Sequence, residues 1–291
     1  MKNIIIRTNF NEKVGLGHIF RMKYLAKELS KNSKLTFYLD KYDELVEKIL
    51  NYDCQYLYGK KGKFKNQKSD SFKLKNKIKN KKIDCIIVDD YRLDTNWEKI
   101  FYNSYPIVVF DDNNSKQHSC DMIVDAKWEG NLTNLRYKNL VHKNTIKLFG
   151  PKFSIINPIK KNYKKNNFFN ILFYMGGGGD FKPYYNFLKN LSKTLKQNKN
   201  YKIFVISGPL VKDQDELFNI TKKLSNIKII RNNLNISKVL LDINFYIGVS
   251  SSIIYELNYH NILSVLFSNT KNQKNNIRHL SDLGFNFLIE K

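Results

Sequence analysis

Short apolar runs of strand length, set between polar segments with helical spacing, constrain this chain more than any other feature. "NIIIRT", "KLTFYL", "IDCIIVDD", "YPIVVFDD" and "DMIVD" punctuate residues 1–125. Runs of this kind, separated by helix-length segments, are the βαβ rhythm of a parallel sheet. The stretch "PKFSIINPIKKNYKKNN", residues 151–167, breaks the rhythm with two prolines and a cluster of lysine and asparagine, and reads as a connection between domains. The rhythm then restarts with "FFNILFYM", "YKIFVIS", "NIKII", "INFYIGVS" and "ILSVLFS", alternating with helices such as "PYYNFLKNLSKTLK" and "SIIYELNYH". The expected architecture is α/β, with two Rossmann-like domains facing a cleft, spanning 1–153 and 154–291.

Composition supports a folded, enzyme-sized chain: 291 residues, 42% hydrophobic and 14% aromatic, are ample for two cores. There is no apolar run of membrane-spanning length, and the polar residues that follow "MKNIIIRTNF" at once rule against a signal peptide. Cys54, Cys85 and Cys120 have neither CxxC spacing nor an even count, so neither a disulfide framework nor a zinc site is indicated. The expectation is a cytoplasmic protein with no stable membrane insertion. The formal charge of +24 would attract polyanions. Lysine is nevertheless spread through the chain with asparagine and isoleucine, as an AT-rich coding sequence produces, and no nucleic-acid-binding signature accompanies it. No specific nucleic-acid partner is expected, and the densest basic run, "GKKGKFKNQKSDSFKLKNKIKNKK", reads as a solvated loop and helix.

In open parallel sheets, ligands collect at the carboxyl ends of strands. Three loops there carry suitable chemistry. In "KVGLGHIFR", Gly15 and Gly17 let the chain turn from strand to helix, and His18 falls at the helix start, with Ile19, Met22, Ala26 and Leu29 on one face. In "YMGGGGDF", glycines 176–179 offer bare backbone N–H groups to a phosphate, and they equally suit a tight turn. The pattern matches neither GxxxxGK[ST] nor GxGxxG, which argues against a kinase or ATPase. In "IGVSSSIIYEL", serines 250–252 read first as N-caps, and Glu256 in the next turn favours the positive end of the helix dipole. The pairs Asp89–Asp90 and Asp111–Asp112 end strands and read as caps or hydrogen-bonding groups, with no DxD pair to bridge a metal to a diphosphate. No metal and no cofactor are therefore expected. Arg21 reads as a helix-surface ion pair before a substrate contact. His118, His142, His260 and His279 share no ligand spacing.

Taken together, "GLGHIFR", "VDDY", "FDD", "MGGGGD", "SSSIIYE" and "TKNQ" resemble the nucleotide-sugar hydrolases of pseudaminic acid biosynthesis. Those enzymes release UDP from UDP-2,4-diacetamido-2,4,6-trideoxy-β-L-altropyranose and share the GT-B fold with the lipid II N-acetylglucosaminyltransferases. The resemblance covers nearly the whole chain, and its most specific part is G-x-G-H-x-x-R at Gly15 to Arg21. It implies that His18 is the general base, with Tyr91 and Asn272 lining the sugar site beside Gly15, Gly17 and Arg21. It also implies that Gly176, Gly177, Ser251, Ser252 and Glu256 bind UDP, the glutamate on the ribose hydroxyls. The chain departs from the pattern in the extra glycine of "MGGGGD", in Phe153 and Asn157 after Gly150, and in Tyr255 before the helix glutamate. The implied activity is inverting attack of water at the anomeric carbon, with the positive helix end keeping His18 neutral. A GT-B glycosyltransferase using the same base on an acceptor hydroxyl, and a non-catalytic nucleotide-sugar or polyanion binder, are the competing readings. For His18 itself the alternative is a structural residue of the cap region.

Overall fold

The computed structural model describes the chain outside residues 11–14, 161–167, 177, 180, 183–184, 197–199, 209, 212–213, 223, 225, 232–235, 268–278, 282–283, 285 and 289–291. It divides into two units, Met1–Ile155 and Ile156–Lys291.

The first unit begins with β1 (Lys2–Thr8), whose isoleucine run is buried on both faces, the signature of a central strand in a parallel sheet. It continues through α1 (Gly17–Leu29), β2 (Ser33–Leu39), α2 (Glu44–Leu50), β3 (Asp53–Tyr56) and α3 (Gln67–Ile78). Then follow β4 (Cys85–Asp89), α4 (Thr95–Glu98), β5 (Ile107–Phe110), β6 (Met122–Asp125) and β7 (Ile146–Phe149). The sheet order is β3-β2-β1-β4-β5-β6-β7, with every pair parallel. Helix starts are set locally: the Asp43 carboxylate accepts from the Val46 N–H ahead of α2, and Asn66 accepts from the Ser69 N–H ahead of α3. The core on one side of the sheet gathers Leu74 and Ile78 of α3, Trp97 of α4, and Ile86, Val88, Ile107 and Ile123 of the strands. The basic run read as solvated is so only on one face. Along α3 the lysines point outward, while Asp70, Ser71, Leu74 and Ile78 are buried, because a helix laid on a sheet must bury one stripe whatever its net charge.

The second unit repeats the plan with β8 (Phe169–Tyr174), a two-residue β9 (Gly178–Gly179), α5 (Tyr185–Lys196), β10 (Tyr201–Ser207), β11 (Leu210–Val211) and α6 (Gln214–Lys222). It ends with β12 (Ile227–Arg231), α7 (Ile236–Leu240), β13 (Phe245–Val249), α8 (Ile253–Tyr259), β14 (Leu263–Phe267) and β15 (Asn286–Leu288). The main sheet runs β12-β10-β8-β13-β14-β15, all parallel, and β9 pairs with β11 apart from it. Its core joins Ile171 and Phe173 of β8, Ile203 and Val205 of β10 and Ile247 and Val249 of β13 to Leu188 of α5 and Leu217 of α6.

Both sheets reverse their winding once. In the first unit the reversal lies between β1 and β4, and in the second between β8 and β13. At such a switch point the loops leaving two neighbouring strands go to opposite faces and open a crevice at their carboxyl ends. The residues found there are the candidates for function.

Candidate functional site

At the first switch point, β1 and β4 end in register at Thr8 and Asp89, and the Thr8 hydroxyl donates to the Asp89 carbonyl at 3.2 Å. Between β1 and α1 the chain passes Gly15, whose φ of +72° a side chain would strain. Gly17 differs from expectation: it is the first residue of α1, has no positive φ, and a Cβ there would meet open space. His18 follows in the first turn and is buried, its side chain 9% exposed.

His18 Nδ1 lies 2.5 Å from Asp89 Oδ1. Burial pushes the Asp89 carboxyl up, but Arg21 and His18 outweigh it and hold the group below the usual carboxylate range. An ionised carboxylate only accepts, so Nδ1 carries a hydrogen and Nε2 is the nitrogen that can take up or release a proton. The helix dipole alone suggested what the ring would feel. The structure adds a directly bonded carboxylate, which fixes its tautomer and orientation.

Arg21 is not on the surface, as its helical position suggested. Its guanidinium lies over the Phe110 ring, with Cζ 5.5 Å from the centroid, and bridges two carboxylates: Nε and Nη2 donate to Asp89 at 3.1 and 2.5 Å, and Nη1 donates to Asp112 Oδ2 at 2.7 Å. Tyr91 closes the circuit. Its hydroxyl donates to the same Asp112 oxygen, and its ring meets the His18 ring edge-on with centroids 4.4 Å apart. Burial pushes the Tyr91 phenol up, and Asp112 reinforces the shift. Asp112 itself is held down to about 2, with Arg21 and the Tyr91 hydroxyl overcoming its burial. The structure thus brings together His18, Arg21 and Tyr91, and adds Asp89 and Asp112 in roles that sequence reasoning left as caps or generic hydrogen-bonding groups. Arg21 stands three residues after His18 and so shares its helix face; the acids end the next strands in the sheet. The spacing of Arg21 from His18 is a local signal; the strand order that brings in the two acids is not.

At the second switch point, β8 leads to Gly176, at φ +104°, and β13 leads to Ser250 and α8. Ser252 occupies the N-cap position of α8 but makes no side-chain cap; Ser251 Oγ accepts from the Ile253 N–H at 3.5 Å. The capping role expected of the serines is therefore weak, and Ser251 and Ser252 face solvent while Ser250 is buried. Glu256 is only 6% exposed, and its Oε2 has no hydrogen-bond partner among the described residues. Burial drives the carboxyl up to about 7 despite a hydrogen bond from Ser237. A buried carboxyl with an unfilled acceptor oxygen suits a ligand that brings hydroxyl donors. Gly177 and Asn272 lie outside the described residues.

Among the described residues, no group of three or more His, Cys, Asp or Glu side chains is arranged to hold a metal ion. No helix among them is long and apolar enough to cross a membrane.

No protein-family model matches the sequence. An uncharacterized protein of Methanocaldococcus jannaschii is 29% identical over 255 residues, covering 82% of this chain and 50% of its own length. The chain thus spans about half the length of the curated relative it matches. Among solved structures, MurG of Acinetobacter baumannii superposes with a TM-score of 0.67 at 14% identity, covering 99% of this chain and 86% of that one. UDP-GlcNAc 2-epimerase of Neisseria meningitidis, bound to UDP-GlcNAc, gives 0.65 at 10% identity, covering 99% and 87%. The epimerase of M. jannaschii, in complex with UDP-GlcNAc and UDP, gives 0.58 at 14% identity, covering 99% and 89%. The chain is a two-domain α/β protein with the Rossmann-like GT-B fold that these proteins share.

Proposed function

We propose that this protein is a UDP-sugar hydrolase, acting on a UDP-linked 2,4-diacetamido-2,4,6-trideoxyhexose in nonulosonate biosynthesis of the pseudaminic acid type. The observation that carries the reading is the His18–Asp89 pair at the first switch point, a buried imidazole whose tautomer is fixed with Nε2 left to accept a proton. The GT-B neighbours that hold UDP-GlcNAc or UDP support a UDP-sugar as the ligand.

In this reading His18 Nε2 takes a proton from water as the water oxygen bonds to the anomeric carbon. The bond from that carbon to the diphosphate oxygen breaks, and its electron pair leaves with UDP. The imidazolium formed is stabilised by Asp89. Gly15, Gly17, Tyr91 and Asn272 serve the sugar side. Gly176, Gly177, Ser251 and Ser252 serve the diphosphate, whose charge suits backbone N–H groups, and Glu256 accepts from the ribose hydroxyls.

The test is incubation with a panel of UDP-sugars without acceptor, in water enriched in heavy oxygen. UDP release with the label in the sugar, and an inverted first-formed anomer, supports the mechanism; label in the UDP phosphate refutes it. The likeness to MurG favours a second reading, a glycosyltransferase. Release of UDP only when an acceptor hydroxyl is supplied would establish that instead.

A further inference from the structure

We infer that Asp112 is a positioning residue for His18, acting by taking a share of the Arg21 charge that would otherwise fall on Asp89 alone. The inference deepens the proposed reading and rests on His18 being the base. Asp89 Oδ1 is shared: Arg21 Nη2 and His18 Nδ1 both approach it at 2.5 Å. The oxygen has a lone pair for each donor, but the guanidinium, as a fixed cation, draws on the Asp89 charge and weakens its pull on the imidazole. Asp112 limits that draw. It takes Arg21 Nη1 at 2.7 Å, so the planar guanidinium is stretched between two carboxylates and its charge is divided between them.

Asp112 is well placed to do this. The Tyr91 hydroxyl donates to the same oxygen that receives Arg21, which fixes the carboxylate on the far side of the guanidinium from Asp89. Its main chain is pinned as well, since Arg136 Nη2 donates to the Asp112 carbonyl at 3.0 Å. The other charges that act on it are Lys127, which favours its ionised form, and the neighbouring carboxyl of Asp125 at the end of β6, itself bonded to Arg136. Asp112 thus reaches His18 by two routes: electrostatically through Arg21 and Asp89, and sterically through Tyr91, whose ring packs on the imidazole.

Asp112→Asn should lower kcat about 10- to 100-fold with KM and UDP affinity within twofold of wild type, since nothing that holds the nucleotide has changed. Removing a negative charge disfavours the imidazolium, so the acidic limb of the pH–kcat profile should move to lower pH. Independently of turnover, the His18 Nδ1–H proton resonance should move upfield as the whole Arg21 charge falls on Asp89 and weakens the Nδ1–H···Oδ1 bond. Asp112→Glu, which keeps the charge, should restore the pH profile and part of the rate. A folded Asp112→Asn protein with wild-type kcat, pH profile and proton resonance would overturn the inference. If that variant does not fold, Tyr91→Phe decides: it removes the donor that anchors Asp112, and an unchanged resonance and kcat would be equally fatal. A wild-type protein that releases no UDP from any sugar defeats the hydrolase reading alone, because the resonance still measures the positioning.

Discussion

Exchanging the Glu256 carboxyl for the isosteric amide in Glu256→Gln removes a charge that the folded second unit is poorly built to hold. Burial moves this group from an ordinary 4.5 up to about 7, with one oxygen lacking a partner among the described residues. Between those two values the folded protein keeps the proton that the unfolded chain has released. Stability therefore falls as pH rises through this window, and the loss is complete above about 7. A gap of about 2.5 pH units corresponds to roughly 3 kcal/mol. The amide does not titrate, so Glu256→Gln should match wild type near pH 4.5 and gain progressively to about 3 kcal/mol by pH 8, roughly 10 °C in midpoint for a domain of this size. Nucleotide affinity should move the other way. A hydrogen bond to a carboxylate contributes about 1.5–3 kcal/mol against about 0.5–1.5 for a neutral acceptor, so UDP should bind roughly 5- to 10-fold more weakly to the variant at pH 8. That difference should shrink below pH 6, where the wild-type carboxyl is itself largely protonated. Thermal melts and calorimetry from pH 4.5 to 8 measure both effects. A stability difference independent of pH would refute the burial argument, and unchanged UDP affinity would remove Glu256 from the nucleotide site.

His18→Ala should lower the rate of UDP release by about 10²–10⁴ while UDP affinity, measured by calorimetry, stays near wild type. Asp89→Asn should cost roughly 10³–10⁴ in kcat, since an amide that donates to Nδ1 favours the wrong tautomer, and the melt should show about 1–3 kcal/mol lost as Arg21 keeps only Asp112. His118 predicts a pH dependence in the first unit. Burial works against its imidazolium, but the Asp111 carboxylate, 3.4 Å from Nε2, and a hydrogen bond from Nδ1 to Glu98 raise it from 6.5 to about 9. The stability it adds is fully present below pH 6.5 and lost as pH rises through 9, about 3 kcal/mol in all, a slope that His118→Gln should flatten.

Most strands legible in the sequence are those buried on both faces, where β-branched runs are forced; the edge strand β12, partly buried, is legible from its isoleucines alone. Those that escaped notice lie at sheet edges: "DCQY" of β3, "IKLF" of β7 and "NFL" of β15. An edge strand buries less, so its composition is freer and its pattern fainter. The site divides in the same way. His18 could be read because a strand, two glycines and a helix start are local signals. Its partners could not, because Asp89 and Asp112 become neighbours of α1 only through the order β1-β4-β5, which no local pattern encodes. Arg21 was misjudged because a charged residue on a helix is by default solvated, and only the paired acids beneath it make burial tolerable.

The doublet Asp89–Asp90 shows why two such networks fit on one sheet edge. Successive residues of a strand point to opposite faces, so Asp89 turns toward α1 while Asp90 lies 3.7 Å from Arg7, which ion-pairs with Asp70 of α3. Arg7 is fully buried, and the fork of its guanidinium is fully occupied. Nε and Nη2 bind Asp70 at 3.1 and 2.7 Å, Nη2 also binds Asp40 at 2.6 Å, and Nη1 donates to the carbonyls of Thr8 and Tyr38. Asp70 accepts in addition from the Trp97 indole and the Tyr58 hydroxyl. Lysine has three donors and no planar fork, so Arg7→Lys must abandon some of these acceptors in a place water does not reach. The expected cost is about 3–5 kcal/mol in the melt of the first unit. Because the network lies on the face away from His18, kcat measured well below the melting midpoint should stay within about threefold of wild type. A variant that keeps its melting temperature would show that the buried fork is dispensable. One that keeps its stability but loses kcat would show that the two faces are coupled through the doublet and do not act separately.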